Sequence, residues 1–239
     1  MSEGHSNVGQ VVLVGLFVTA LATAQLTASK LLAIPVPSAL GELPLVGATI
    51  ILPGAALAYA LTFFASDCYS ELYGRRPAQV MVNVGFAMNF VLLGLVWSTI
   101  AAPAANPEFA ANFADVLASG TNIVAGSLLA YLVSQNWDVI VFHGIRDLTD
   151  GAFLWLRNIV STATSQAIDT VIFVGVAFYV APTVLGIGQA LPRNVLVGLI
   201  AGQYLLKLLI AIIDTPLVYG VVALFGSESS SSDDGWVAD

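Results

Sequence analysis

Two stretches of this sequence spend charge where it is costly. GQYLLKLLIAIIDTPLVYG sets Lys207 and Asp214 seven residues apart, and LRNIVSTATSQAIDTVIFVG repeats polar groups at Asn158, Ser161, Ser165 and Asp169, with Thr162 and Gln166 one position off. Seven residues are close to two helical turns, so Lys207 and Asp214 project from one face about 10 Å apart along the axis, joined there by Gln203 and Tyr204. The second series has a helical period, so a helix gathers it on one side and carries Asp169 about 18 Å of rise beyond Arg157. Such groups can do two things. An ion pair between neighbouring helices locks a bundle, whereas a carboxylate near an ammonium or an amide can hold a polar ligand through charge-assisted hydrogen bonds.

A third concentration lies in FFASDCYSELYGRR, residues 63 to 76. Asp67 and Glu71 are one turn apart and share a helical face. Two such acids repel, so one keeps its proton or each takes a cation, and Arg75, four residues after Glu71, offers one. A cluster solvated at the membrane surface is the plainer reading, and a gate or helix-pairing element is the sharper one. Lys30 sits at the end of the first apolar run and either snorkels to the interface or pairs. Asp138, in SLLAYLVSQNWDVIVF, falls near the end of its own apolar run. With a single cysteine, Cys68, and two histidines, His5 and His143, a disulfide framework and a multi-cysteine metal site are excluded, and neither metal nor cofactor is expected. No nucleophile motif surrounds His143 and no aspartate pair stands in a protease context, so an intramembrane enzyme is not expected.

The elements that must position these groups follow from composition. Of 239 residues, 9% are charged and 58% apolar, against about a quarter charged in a soluble domain. This is the composition of a membrane protein. With about 20 apolar residues needed per crossing, spans are predicted at roughly 10–33, 44–66, 79–102, 121–143, 158–181 and 195–225. The fold class is therefore an all-α membrane protein of six transmembrane helices in one domain, 1–225. The acidic segment 226–239 is predicted to be a disordered cytoplasmic tail. PEFAANFADVLASG, with Phe109, Phe113, Val116 and Leu117 at i, i+4, i+7 and i+8, suits a short interfacial helix or a loop. Pro53 with Gly54, and Pro216, are candidates to break spans two and six. Ala20, Ala24 and Ala28 form a small-residue ridge for a close neighbour, either internal or a second chain of a homodimer. Arg75, Arg76, Arg146 and Arg157 fall in loops on one side, which places both termini in the cytoplasm of a multi-pass cell-membrane protein. The N-terminus MSEGHSNVGQ has no Lys or Arg, so the first helix is expected to be retained. The net charge of −8 with few lysines resembles proteins of salt-loving archaea.

Taken in order, ASDCYSELYGRRPAQ, SLLAYLVSQNWDVIVF, WLRNIVSTATSQAIDTVIF and KLLIAIIDTPLVYG resemble the queuosine precursor transporters of the vitamin-uptake-like family, from about residue 10 to 225. The resemblance implies a six-helix carrier, similar in layout to the substrate-binding subunits of energy-coupling-factor vitamin transporters, that imports a 7-deazaguanine for tRNA modification. By motif position its residues fall on Asp67, Glu71, Tyr73, Gly74, Asp138, Arg157, Ser161, Ser165, Gln166, Asp169, Lys207 and Pro216. For such a base Asp169 would take the paired N–H donors, Gln166 or Lys207 the carbonyl, and Tyr204 would stack, with Ser165 and Asp214 nearby. Asp67, Glu71, Arg75, Asp138, Arg157 and Lys30 are then gate or structural groups. The expected partners are a deazapurine and the lipid bilayer, not nucleic acid. The alternative is a subunit that binds a vitamin or purine-like ligand and depends on an ATP-driven partner, because no nucleotide-binding loop occurs in this chain.

Overall fold

The computed structural model describes residues 2–41, 46–150 and 153–226, so the expected tail beyond Gly226 lies outside the described residues. In chain order the elements are α1 (Ser2–Thr27), β1 (Leu31–Pro35), β2 (Thr49–Pro53), α2 (Ala56–Tyr73), α3 (Arg75–Ala101), α4 (Pro107–Ala118), α5 (Gly120–Leu148), α6 (Leu154–Gly175), α7 (Ala181–Leu185) and α8 (Arg193–Gly226). A turn of 3-10 helix, Ser38–Leu40, follows β1, and a π-helical turn, Val176–Val180, joins α6 to α7. Among the described residues, five helical stretches are long and apolar enough to cross a membrane: Val8–Thr27, Arg75–Ala101, Pro107–Leu148, Ile159–Leu185 and Arg193–Ala223. The protein is a mostly helical, multi-pass membrane protein.

The expected second span is where the structure departs most from expectation. Helix was predicted from 44 and, for the first span, through 33, but Leu31–Pro35 and Thr49–Pro53 pair as antiparallel strands, Leu31 opposite Pro53 and Ala33 opposite Ile51. Each strand ends on a proline, which cannot donate to a ladder and is tolerated at strand ends. Pro53 and Gly54 therefore close a strand instead of breaking a helix. The Gly54 N–H donates to the Lys30 carbonyl at 2.6 Å, and a Cβ at Gly54 would lie 2.5 Å from the Thr27 carbonyl oxygen. The remaining helix, α2, has 18 residues and is not among the five long apolar stretches. Pro216 leaves α8 continuous over 34 residues. Proline removes one backbone donor and crowds the preceding turn, but in α8 it does not end the helix.

The described residues divide into two compact units, one drawn from 2–25, 55–94 and 206–226 and the other from 26–41, 46–54, 95–150 and 153–205. In the first unit, Leu13, Phe17 and Leu21 of α1 form a core with Ala65, Cys68 and Tyr69 of α2, Ala78 and Met81 of α3, and Val218 of α8. Gly85 permits the closest approach, since a Cβ there would meet Phe17 Cε1 at 2.5 Å and Leu21 Cδ2 at 3.2 Å. The Ala20, Ala24 and Ala28 ridge is 5%, 1% and 0% exposed, so its neighbour is internal to the chain.

In the second unit the hairpin lies against α8 at Gly202, where a Cβ would stand 2.5 Å from the Ile51 carbonyl oxygen. Gly198 and Gly202 are one turn apart. Small residues at that spacing let another backbone approach a helix closely, and here that backbone is a strand. α5 meets the π-turn through Gly126, whose Cβ would lie 2.8 Å from Ala177 Cβ. Pro182 explains the end of that turn. It has no N–H to give to the carbonyl four residues back, and the freed Phe178 carbonyl accepts the Leu191 N–H at 2.9 Å. Of the two readings of PEFAANFADVLASG, short helix or loop, the helix is present as α4. Asn106 Oδ1 accepts the Phe109 N–H at 3.1 Å and Pro107 follows the cap, the usual chemistry of a helix start. Phe109 and Val116 keep exposed apolar surface.

Candidate functional site

The polar residues of α5 and α6 meet in a reciprocal arrangement. α5 carries Ser134 and Asp138, and α6 carries Ser165 and Asp169, each pair one turn apart. The Ser134 hydroxyl donates to Asp169 Oδ1 at 3.3 Å, and the Ser165 hydroxyl donates to Asp138 Oδ1 at 3.3 Å. The helices are antiparallel, so each serine reaches the other helix's aspartate. Between them, Trp137 Nε1 donates to Thr164 Oγ1 at 3.1 Å, and further along the Arg157 guanidinium stacks 5.0 Å over the Phe142 ring. Ser134 and Ser165 are buried, while Asp138 and Asp169 are half-buried. The two serine hydroxyls thus hold both aspartates in place across the seam.

Sequence reasoning named Asp138, Ser165 and Asp169 but missed Ser134. The signal was available, because both helices contain Ser-Gln-x-x-Asp, as SQNWD at 134–138 and SQAID at 165–169. Gln166 is half-buried, and its backbone carbonyl accepts the Thr170 hydroxyl at 2.8 Å. The Tyr204 hydroxyl donates to the Ala163 carbonyl at 3.3 Å, which fixes the ring between α8 and α6. Next to it a largely apolar cavity of about 300 Å³ is lined by Ala167, Thr170, Val171, Val197, Ile200, Ala201 and Tyr204.

The first unit holds a different cluster. Asp214, 7% exposed, meets another acid, and its carboxyl is in hydrogen-bonding contact with that of Asp67. Two carboxyl groups can make that contact only if they share a proton. Asp67 was expected to pair with Arg75 or a neighbouring cation, so the partner found is a correction. The route through Arg75 fails for a backbone reason. α2 ends at Tyr73, Gly74 turns the chain at φ 91° and Arg75 opens α3, so Glu71 and Arg75 do not share a helix face. Lys207 is half-buried on α8, two turns before Asp214, and Lys30 is exposed in the turn after α1. Among the described residues no group of three or more His, Cys, Asp or Glu could hold a metal ion.

Asp67 lies beyond the apolar part of α2 and outside the five long spans. Burial, then the adjacent Asp214 carboxyl, with Glu71 adding a smaller repulsion, pushes it up to about 6 from an ordinary 3.8. The folded chain thus holds this proton more tightly than the unfolded chain, and stability from this group is present below about pH 4 and declines as pH rises towards 6. In detergent, the thermal midpoint of the wild type measured against that of Asp67→Asn is expected to fall across that window and level off above it. A difference between the two that is flat or rises with pH would show that Asp67 does not share a proton.

These features lie within a recognisable lineage. The family described as "Putative vitamin uptake transporter" matches residues 53–221, from the end of β2 into α8. A relative from Bacillus subtilis (strain 168), named "Probable queuosine precursor transporter", is 33% identical over 179 residues, which are 73% of this chain and 73% of that protein. No solved structure matches the chain. The family match takes in the Asp67–Asp214 contact and the whole serine–aspartate exchange between α5 and α6, and the chain belongs to the vitamin uptake transporter family.

Proposed function

We propose that the protein imports a queuosine or archaeosine precursor, a 7-deazaguanine such as 7-cyano- or 7-aminomethyl-7-deazaguanine, for tRNA modification. The observation that carries this reading is the 33% identity, over 73% of both chains, to the transporter named for that precursor. The chemistry of α5 and α6 supports it. A guanine-like edge presents two neighbouring N–H donors, and Asp169, oriented by Ser134, offers a carboxylate to receive them, with Gln166 and Ser165 on the same helix. The carrier acts as one membrane-embedded unit over 1–225. α2 completes six helices in a layout like that of energy-coupling-factor substrate-binding subunits, and both termini face the cytoplasm. The alanine ridge of Ala20, Ala24 and Ala28 is buried within the chain, so it is not the surface on which an ATP-driven partner would dock.

The direct test is uptake into liposomes containing only the purified protein. Accumulation of labelled 7-cyano-7-deazaguanine above that of guanine, with no ATP-driven partner present, is the expected result. Correctly inserted protein that moves neither 7-deazaguanine would overturn the reading.

A further inference from the structure

The cavity of about 300 Å³ in the second unit lies wholly between α6 and α8, within the spans Ile159–Leu185 and Arg193–Ala223. Ala167 on one wall and Ala201 on the other make the hollow by being small. Val171 and Val197 stand at its mouth and are each 51% exposed, so it opens sideways towards the bilayer. Its polar atoms are already engaged. Thr170 is 0% exposed and its hydroxyl donates to the Gln166 carbonyl at 2.8 Å, while the Tyr204 hydroxyl donates to the Ala163 carbonyl. The walls therefore turn hydrocarbon to whatever fills the hollow. A purine-like base would give up its hydrogen bonds there at a cost, whereas a chain of methylenes has none to lose.

The hollow also has a charged end. Arg193, Val197, Ile200 and Tyr204 follow at i, i+4, i+7 and i+11, one stripe of α8, and Arg193, which opens the helix, is exposed. On α6, Ala167, Val171 and Gly175 follow at i, i+4 and i+8. A Cβ at Gly175 would meet nothing within 4 Å, so the groove runs on a turn beyond Val171. The contact of Tyr204 with Ala163 sets the register of the two antiparallel helices. The rise from Ala163 to Gly175 is about 18 Å and that from Tyr204 back to Arg193 about 17 Å, which brings Arg193 level with the open end of the groove. Between Asp169 and Asp214 the sequence has no Asp or Glu, so neither that end of the two helices nor the segment joining them offers Arg193 a carboxylate. We infer that the groove binds an anionic phospholipid, with one acyl chain laid between α6 and α8 from Tyr204 to Gly175 and the phosphate on the Arg193 guanidinium. Arginine suits this place, because its planar fork meets phosphate oxygens in paired charge-assisted hydrogen bonds and its stem reaches the interface along apolar surface.

This site stands whatever solute the carrier moves. Its test is a titration of the purified protein in detergent with dioleoyl phosphatidylglycerol and, separately, dioleoyl phosphatidylcholine, bound lipid being counted by native mass spectrometry. The wild type is expected to hold phosphatidylglycerol about fivefold more tightly than phosphatidylcholine. Arg193→Gln is expected to bind the two lipids alike, and Ala167→Leu and Ala201→Leu, which fill the hollow from either wall, to lose both. Equal binding of the two lipids by the wild type overturns the proposal, as does a preference that survives in Arg193→Gln. Undiminished binding in the folded leucine variants also overturns it, because the chain then lies elsewhere. A wild type that is dimeric and binds neither lipid overturns it in favour of a second copy in the groove. Arg193 is exposed, so its substitution leaves the packing intact, and the headgroup comparison decides the matter even where both leucine variants fail to fold.

Discussion

A Gly202→Val variant is expected to leave almost no folded protein in the membrane. The added Cβ would stand 2.5 Å from the Ile51 carbonyl oxygen and 3.1 Å from Ile50 Cγ2. Real Cβ atoms do not approach a backbone oxygen so closely, so either the strand or the helix must move. Neither can do so cheaply. Ile51 is held in register opposite Ala33, and Gly202 is in the interior of a continuous helix of 34 residues. Core overpacking costs up to about 3 kcal/mol or more, set against a total stability of about 5 to 15 kcal/mol. Gly198→Ala is the matched control. Its Cβ would meet only Ile51 Cδ1 at 3.7 Å, an ordinary contact, and alanine is better than glycine in a helix by about 1 kcal/mol. Yield of monodisperse protein and its thermal midpoint should collapse for the valine variant and hold or rise for the alanine variant. Equal behaviour of the two would show that β2 does not rest on α8.

Removing the charge of Asp169 should abolish transport without unfolding the protein. Asp169→Asn preserves shape and can still accept the hydrogen bond that Ser134 gives at 3.3 Å, so the packing of α5 on α6 survives. The lost ionic acceptor is another matter. Hydrogen bonds to a charged group contribute roughly 1.5 to 3 kcal/mol each, and two donors on one base edge make the expected loss of uptake about a hundredfold or more. Asp169→Leu breaks the exchange as well and should lower the thermal midpoint in addition. The informative comparison is between these variants. If Asp169→Asn transports like the wild type and only Asp169→Leu fails, the carboxylate is a fastener and the base is bound elsewhere.

Much of the architecture was legible because membranes restrict the choices. The long apolar runs of α1, α3, α5, α6 and α8 follow from length alone, whereas the apolar spacing of α4 left helix and loop both open and its cap at Asn106 was not read. The hairpin was not legible. Leu31–Pro35 and Thr49–Pro53 are short apolar runs, which hydrophobic periodicity cannot assign to strand or helix. In the site, a 3.6-residue period put Ser165 and Asp169 on one face, as found. The contact between Asp67 and Asp214 was hidden for a different reason. Arguments from charge look for an opposite partner nearby in sequence, whereas here an acid finds another acid brought to it by the fold.

The exchange of hydroxyls and carboxylates between α5 and α6 also restricts how the second unit can change shape. The observed register places Ser134 against Asp169 and Asp138 against Ser165. Sliding the helices by one turn in one sense would bring Asp138 opposite Asp169, two like charges in a poorly solvated seam, and such juxtapositions are strongly disfavoured. Sliding in the other sense would oppose the two serines and separate Asp169 from Ser134. Shear along this seam is therefore blocked in both directions, and α5 and α6 behave as a single lever. Bending is left to the π-turn at Val176–Val180, where one carbonyl is already released from the helical ladder and tied to Leu191 instead.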